Sequence, residues 1–492
     1  MRKSGILLHI SSLPSPYGIG TLGKEAYKFT DFLEEAGQSF WQMLPICPTS
    51  YGDSPYQTFS TFAGNPYFID FDLLKEKKLL KKSDYSSLDF GKKEDSVDYG
   101  ALYENRFKVL RIAAENFLKT DQKDFKKFCK KNSFWLDDYA LFMTLKFMHA
   151  GASFYEWERR YRIRESKALS TLKKEKAFEI YFWKFVQFEF FSQWFALKKY
   201  ANSKNVEIIG DIPIYVALDS ADVWAGPKLF QLKKDLKPKR VAGCPPDGFS
   251  EDGQLWGNPL YEWDYHKSTD YEWWIKRISY MCDIYDVLRI DHFRGFDAYY
   301  SISAKNETAK GGKWVKGPGI ELFNTLEKKI GKKRIIAEDL GFLTPSVKKM
   351  LKESGFPGMK VMEFAFDSRD NAENDYLPHN YINNCVAYLG THDNDTIIGW
   401  MKTAAKTDVN NAKEYLSLND KDNYNWDFMK ALWATVADTT IVQIQDVLGL
   451  GSKARMNIPS TTEGNWQFRL KKGDLNHSLA KKLKTYMLMY GR

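Results

Sequence analysis

The sequence predicts an α/β protein built as a (β/α)8 TIM barrel, and two observations lead to that prediction. Eight short apolar runs recur along the 492 residues, each ending in polar or glycine-rich sequence, and amphipathic stretches separate them. Near-continuous apolar runs of this length are typical of strands buried on both faces of a parallel sheet. Eight strands alternating with helices indicate a closed barrel rather than an open, doubly wound sheet.

The predicted strands are rich in β-branched and other apolar residues, and they are followed by turn or polar sequence. They are 4–10 (SGILLHI), 39–46 (SFWQMLPI), 206–216 (VEIIGDIPIYV), 285–293 (YDVLRIDHF), 334–340 (RIIAEDL), 359–366 (MKVMEFAF), 385–393 (CVAYLGTHD) and 452–458 (SKARMNI).

Two helices can be delimited from their termini. The segment 344–355 has Thr344 as a predicted N-cap, Pro345 in the first turn and Gly355 just past the end, an arrangement that begins and ends helices. The amphipathic segment 319–331 is the second predicted helix.

The chain is expected to form one catalytic barrel over residues 1–492, with two insertions. Residues 67–205, between the second and third strands, are rich in Lys and aromatic residues and predict a mostly helical subdomain over the carboxyl-terminal face of the barrel. Residues 226–265 are rich in Gly and Pro and contain few β-branched residues, which predicts a long ordered loop at the active site. No β-sandwich is expected after the barrel.

Composition argues against several classes of protein. A hydrophobic fraction of 43% is ample for a core, and a net charge of +9 is modest for this length. The basic residues form no recognisable nucleic-acid-binding module. No apolar stretch is long enough to span a membrane, and the amino terminus lacks the apolar core of a signal peptide. The five cysteines are scattered without a CxxC pair, so we expect neither zinc nor disulfides and place the protein in the cytoplasm.

Polar residues at the ends of the predicted strands are the candidates for chemistry, because active sites in these barrels lie at the carboxyl ends of the strands. The candidates are His9, Asp211, Asp291, Glu338, Asp367, His392 and Asp393.

Paired carboxylates are the groups that glycosidic-bond chemistry requires, one ionised and one protonated. Arg289 lies two residues before Asp291 and so shares its face of the strand, where it is expected to lower the pKa of Asp291 and keep it ionised. Glu338 follows apolar residues, and a less polar site raises a carboxyl pKa, which suits a general acid. His392 and Asp393 could bind sugar hydroxyls.

Each motif alone also has a purely structural interpretation. Arg-x-Asp at a strand end is more often an ion pair than a catalytic site, AEDLG (337–341) could begin a helix, and THDND (391–395) could be a turn or a metal site. Aromatic positions such as Tyr56 and Trp256 are packing residues by default, and His292 is expected to point away from the site. The catalytic interpretation depends on three acidic strand ends that fall on one face of the barrel.

Beyond these patterns, nine stretches that cover nearly the whole chain carry a resemblance to a known family. They are residues 5–23, 41–66, 210–225, 242–264, 289–296 (RIDHFRGF), 337–341 (AEDLG), 357–366, 390–396 (GTHDNDT) and 454–466 (ARMNIPSTTEGNW). In these stretches, taken in order, the sequence resembles the 4-α-glucanotransferases (amylomaltases, or disproportionating enzymes) of glycoside hydrolase family 77, in the α-amylase clan.

The resemblance implies specific roles for residues of this chain. Asp291 would be the nucleophile, Glu338 the general acid/base and Asp393 the stabiliser of the transition state. Sugar contacts would come from Tyr56, Asp247, Trp256, Arg289, Asp367, His392 and Asn465. The implied partners are α-1,4-glucans and maltooligosaccharides, with glucose as a further acceptor, and no metal or organic cofactor, nucleic acid or membrane is implied.

The reaction that follows is transfer of a glucan segment to the 4-OH of an acceptor by retaining double displacement. Retaining chemistry places the two carboxyl groups about 5–5.5 Å apart. Two alternatives remain open at the level of sequence: a hydrolase of α-1,4-glucans with weak transfer, and a non-catalytic glucan-binding barrel. The second would be expected to lack one of the three acidic strand ends, and all three are present.

Overall fold

The computed structural model describes residues 2–246, 251–341, 343–370, 372–418 and 423–492. Within these residues, twelve strands form two sheets. The strands are β1 (Lys3–Leu7), β2 (Phe40–Gln42), β3 (Glu207–Ile212), β4 (Arg240–Cys244), β5 (Gln254–Pro259), β6 (Val287–Ile290), β7 (Ala298–Ser303), β8 (Lys313–Lys316), β9 (Ile335–Ala337), β10 (Gly358–Val361), β11 (Cys385–Tyr388) and β12 (Thr439–Gln443).

The larger sheet is a near-closed parallel barrel with the strand order β10-β11-β12-β1-β2-β3-β6-β9. The two end strands meet at a seam, where the Ala337 amide donates to the Pro357 carbonyl over 3.0 Å. At the same seam the Met359 amide donates to the Asp339 carboxylate over 2.6 Å. The prediction of a (β/α)8 barrel is therefore confirmed.

Helices pack around the barrel and occupy the long insertion. Within the described residues they are α1 (Lys24–Glu35), α2 (Phe71–Glu76), α3 (Tyr99–Phe117), α4 (Lys123–Lys131), α5 (Ser133–Met148), α6 (Arg159–Arg162), α7 (Ser166–Glu175), α8 (Ala177–Ser203), α9 (Ala221–Ala225), α10 (Trp263–Ser268), α11 (Glu272–Ile284), α12 (Ile320–Ile330), α13 (Pro345–Ser354), α14 (Ile397–Thr403), α15 (Lys406–Tyr415), α16 (Tyr424–Ala434), α17 (Ile444–Val447) and α18 (His477–Tyr490).

The predicted helix over 344–355 is confirmed together with its caps. The Thr344 side chain accepts a hydrogen bond from the Val347 amide, and Gly355 ends α13 in the left-handed conformation at φ 68°. The second predicted helix corresponds to α12. Both were predictable because capping depends on residues within one helical turn.

The eighth barrel strand differs from the prediction. It is β12, formed by TTIVQ, which pairs with β1 and β11. The predicted strand 452–458 instead begins with a short 3₁₀ turn, Ser452–Ala454, and continues as a loop. A strand of five residues that begins with two threonines carries a weak hydrophobic signal, whereas pairing on both sides supplies its stability.

The insertion at 226–265 contains strands rather than only loop. β4 and β5 pair antiparallel with each other, and β4 also pairs with β7, giving a four-stranded sheet of order β5-β4-β7-β8. Residues 67–205 contain α2 to α8, including the 27-residue α8. Within the described residues, no helix combines the length and apolarity needed to cross a bilayer.

Candidate active site

The carboxyl ends of neighbouring barrel strands bring the predicted catalytic residues onto one face. Asp291 directly follows β6, and Glu338 directly follows β9, which pairs with β6. Asp393 lies in the loop after β11, and Tyr56 lies in the loop after β2. Three acidic groups from three strands therefore meet above the barrel core, as the sequence predicts.

Arg289 is the buried cation at the centre of this face, with 3% of its surface exposed. Its Nη1 lies 3.1 Å from Asp291 Oδ1, so the pair predicted from their i, i+2 spacing is confirmed. The same Nη1 lies 2.5 Å from Asp211 Oδ2, because Asp211 is the register partner of Arg289 in the β3–β6 ladder. Arg289 therefore balances two carboxylates, and the Tyr56 hydroxyl donates to Asp211 over 2.8 Å.

The net pKa shift of Asp291 is opposite to the prediction. Arg289 does lower the pKa of Asp291, but burial in the cleft is the larger effect, and the carboxylates of Glu338 and Asp211 add to it. The pKa of Asp291 is therefore raised well above its ordinary value. The sequence shows the adjacent cation, whereas desolvation depends on the whole fold.

Glu338 accepts two backbone hydrogen bonds. The His292 amide donates to Oε2 over 2.6 Å, and the Leu340 amide donates to Oε1 over 2.8 Å. These bonds and Arg289 favour the ionised form, yet burial outweighs them and raises the pKa of Glu338. The predicted direction is confirmed, and it suits a group that must hold a proton.

Asp393 is more open than the other two carboxylates, with 47% of its side chain exposed. The Asn457 side-chain amide donates to Oδ1 over 2.6 Å. His392 lies beside it, with Nε2 3.4 Å from Oδ1, and stacks on Tyr56 at a centroid distance of 4.9 Å. Burial lowers the pKa of His392, so its ring is neutral.

His292 does not continue the strand, contrary to the alternation on which its expected direction rests. Its φ of 52° places it in the left-handed region, so the strand alternation stops at Asp291. The turn aims the His292 amide at Glu338 and sets the ring edge-on against Trp256, with centroids 4.8 Å apart. Trp256 itself donates from Nε1 to Gln254 over 2.9 Å.

Two predicted sugar contacts, Asp367 and Asn465, stand apart from this cluster, and a third, Asp247, lies outside the described residues. Asp367 is bound by Arg369 over 2.5 Å, which lowers the pKa of Asp367 to about 2. Asn465 accepts from the Ile458 amide over 2.9 Å and donates to Thr461, so its side chain supports its own loop.

The site also contains residues for which the sequence predicts no role. Asp211 is one of the candidates predicted from the sequence, but nothing in the sequence paired it with Arg289. Asn457 and Trp466 lie in the 454–466 motif, and Trp466 packs against Tyr56 and His392. Within the described ranges, no group of three His, Cys, Asp or Glu side chains could hold a metal ion.

The barrel and its acidic strand ends define the class of protein: a (β/α)8-barrel enzyme that carries the carboxylates of glycosidic-bond chemistry. Comparison with known proteins gives the family. Residues 8–476 match the family model described as 4-alpha-glucanotransferase. The chain belongs to this family, glycoside hydrolase family 77, and is an enzyme with 4-alpha-glucanotransferase activity.

The relatives compared below match over all or nearly all of their length. The chain is 51% identical to the 4-alpha-glucanotransferase of Clostridium butyricum, over 99% of this chain and 100% of the relative. It is 45% identical to that of Thermus thermophilus, over 96% of each. The amylomaltase from Streptococcus agalactiae, solved in complex with acarbose, superposes with a TM-score of 0.98 at 44% identity, over 100% of both chains.

Proposed function

We propose that this enzyme disproportionates α-1,4-glucans by retaining double displacement, with Asp291 as nucleophile, Glu338 as general acid/base and Asp393 as stabiliser of the transition state. A glucan segment moves from a donor to the 4-OH of glucose or a maltooligosaccharide. The contact between the His292 amide and Glu338 supports this proposal most directly. It joins the residue after the proposed nucleophile to the proposed acid/base, which supports a shared role of the two carboxyl groups at one bond.

In the first step, Asp291 attacks the anomeric carbon and the glycosidic C–O bond breaks. The Glu338 proton passes to the leaving oxygen, and a covalent glycosyl-enzyme forms. The step requires that Asp291 and Glu338 together hold one proton. Burial raises both pKa values, and Arg289, 3.1 Å from Asp291, favours the arrangement with the charge on Asp291 and the proton on Glu338.

In the second step, the acceptor 4-OH attacks the anomeric carbon and the bond to Asp291 breaks. Glu338 takes the hydroxyl proton, which restores the starting state with the configuration retained. Transfer requires that the acceptor outcompete water. The hairpin of β4 and β5, which carries Trp256 beside His292, is the part of the structure we assign to covering the intermediate.

Sugar binding is assigned to the residues clustered around the carboxylates. Tyr56, Arg289 and His392 contact one another or a carboxylate of the site. Trp256 contacts the ring of His292, whose amide binds Glu338. Aromatic faces suit the apolar face of a pyranose, and the buried polar groups suit its hydroxyls. Contacts from Asp247, Asp367 and Asn465 remain predictions, and Asp367 would first have to leave Arg369.

Product analysis from maltotriose tests the proposal. We expect free glucose together with a ladder of longer oligosaccharides, whereas glucose and maltose without the ladder would identify a hydrolase with weak transfer. We also expect acarbose to inhibit, since the Streptococcus agalactiae relative is solved in complex with it. A crystal structure should show the Asp291 and Glu338 carboxyl groups about 5–5.5 Å apart, and a separation near 9 Å would contradict retaining chemistry.

A further inference from the structure

The loop after β11, which carries Asp393, is held by a segment more than 60 residues later in the chain. We call residues 455–457 the clamp segment. The Arg455 guanidinium donates from Nη2 to the Asp393 carbonyl over 2.5 Å and from Nε to the Asn457 carbonyl over 2.8 Å. The Asn457 amide donates to the His392 carbonyl over 3.1 Å. The bonds to the His392 and Asp393 carbonyls fix the two peptide units on either side of the Asp393 Cα atom.

The side chain of Asn457 makes a separate contact with the carboxylate itself. Its Nδ2 donates to Asp393 Oδ1 over 2.6 Å. In the part of the chain that the structure describes, this is the one side-chain amide that donates to Asp393. A hydrogen bond to an ionised acceptor is roughly twice as strong as a neutral one. Because the backbone contacts of the clamp do not involve this side chain, the two effects can be separated by mutation.

We propose that Asn457 is a positioning residue for the transfer reaction, and that it fixes the rotamer of the Asp393 carboxylate toward the reacting sugar. This inference rests on the proposed function, in which Asp393 stabilises the transition state. Almost half of the Asp393 side chain is exposed, so packing alone does not fix its torsion angles. The Asn457 amide holds Oδ1, and the inference assigns the other oxygen, Oδ2, to the substrate.

The clamp segment also has a support of its own. The Ile458 amide donates to Asn465 Oδ1 over 2.9 Å, and the Trp466 amide donates to the Met456 carbonyl over 2.7 Å. Asn465 is only 8% exposed. The 454–466 motif therefore acts on the active site through Asp393, and Asn465 stabilises the clamp segment.

The test compares Asn457→Leu, which keeps the volume and removes the donor, with the unmutated enzyme on maltotriose. We expect kcat to fall about tenfold to a hundredfold, the effect of losing one hydrogen bond to a charged group. KM should change by less than about twofold, because the contact acts in the transition state. A melting curve unchanged from the unmutated enzyme shows that the loss is not unfolding.

The variant Asn457→Asp gives a pH profile that would not change if Asn457 had a purely structural role. The introduced carboxyl faces Asp393 at hydrogen-bond distance, and two such groups cannot both ionise without cost. At neutral pH we expect a loss at least as large as for Asn457→Leu. At lower pH a proton on the introduced carboxyl restores a donor, so activity relative to the unmutated enzyme should rise. Asn476→Asp, at the N-cap of α18, makes the same charge change far from the site and should leave the pH profile unchanged.

Each outcome decides the inference. A kcat for Asn457→Leu within about twofold of the unmutated enzyme, or a pH profile of Asn457→Asp parallel to the control, would overturn it. The proposed function is judged separately, by the maltotriose ladder of the unmutated enzyme. Hydrolysis without the ladder would overturn the transfer reaction, but the effect of Asn457→Leu on kcat could still be measured from glucose release. Absence of all turnover would overturn both the proposed function and the inference about Asn457.

Discussion

The three candidate catalytic carboxylates are supported in two different ways. At the ends of β6 and β9, Asp291 and Glu338 are held by the barrel itself, through Arg289 on the strand and the backbone amides of His292 and Leu340. At the end of β11, Asp393 is half exposed and depends on side chains of the distant clamp segment. The first pair has its protonation set by burial, whereas the third group has its direction set by a hydrogen bond.

The largest effect should come from the pair at the ends of β6 and β9. Replacing Asp291 with Asn removes the nucleophile while keeping its shape, so we expect activity to fall on the order of 10⁴-fold or more. Steady-state rates on maltotriose measure this loss. A variant that still builds the oligosaccharide ladder at more than a few per cent of the original rate would contradict the role of Asp291.

Glu338→Gln should reduce kcat about 10²- to 10⁴-fold, the usual contribution of general acid–base catalysis. The raised pKa of Glu338 means that the unmutated enzyme loses activity as pH rises and Glu338 loses its proton. The variant should lack this alkaline limb. A donor with a good leaving group, such as a glucosyl fluoride, should restore the first step, since it needs no proton. An alkaline limb that persists in the variant would assign that limb to another group.

Arg289→Gln should move the acidic limb of the pH profile to higher pH. Activity needs ionised Asp291, whose pKa is already raised, and loss of the adjacent cation raises that pKa further. The variant also leaves Asp211 buried without its cation, which typically costs about 3–5 kcal/mol of stability.

The double variant Arg289→Gln, Asp211→Asn is the matched control for this change. It removes both buried charges, so the melting temperature should recover. The acidic limb should return only part of the way, because Arg289 lowers the pKa of Asp291 by more than Asp211 raises it. An acidic limb at or below that of the unmutated enzyme would contradict the effect of Arg289 on Asp291.

The smallest expected effect comes from variants of His292, which separate the contact of its backbone amide from the contact of its ring. His292→Gly keeps the left-handed turn and the amide bonded to Glu338 but removes the ring that packs on Trp256. We expect a rise in KM for the acceptor of a few fold, with kcat changed by less than about tenfold. His292→Val disfavours the positive φ and should lower kcat more, because it disturbs the amide. Equal kinetics in the two variants would contradict this separation.

The predictions that held depend on local or repeated signals. The caps Thr344 and Gly355 lie beside the helix they delimit, and the i, i+2 relation of Arg289 and Asp291 lies within one strand. The predictions that failed depend on contacts between distant segments. β12 is a strand because β1 and β11 flank it, and β4 is a strand because it pairs with β7, some sixty residues later.

The candidate site follows the same division. The identities of Asp291, Glu338 and Asp393 could be chosen from strand ends, but the direction of the Asp291 pKa could not, because burial is a property of the whole cleft. The left-handed turn at His292 could not be predicted either, since the alternation of side chains along a strand does not show at which residue the strand ends. Asn457 was placed on a strand that does not form, and so its contact with Asp393 could not be predicted.

The seam between β9 and β10 has a consequence for how the barrel moves. Among the described residues, one backbone hydrogen bond and the Asp339 carboxylate join the ends of these strands. A Cβ atom at Gly358 would lie 2.6 Å from Asp339 Oδ2, so the contact tolerates no side chain there. Sparse pairing of this kind opens more readily than a continuous ladder. The amides of Ala337 and Met359 should therefore exchange with deuterium before those of β1 and β12. Glu338 directly follows β9, so it lies where the barrel is expected to open first.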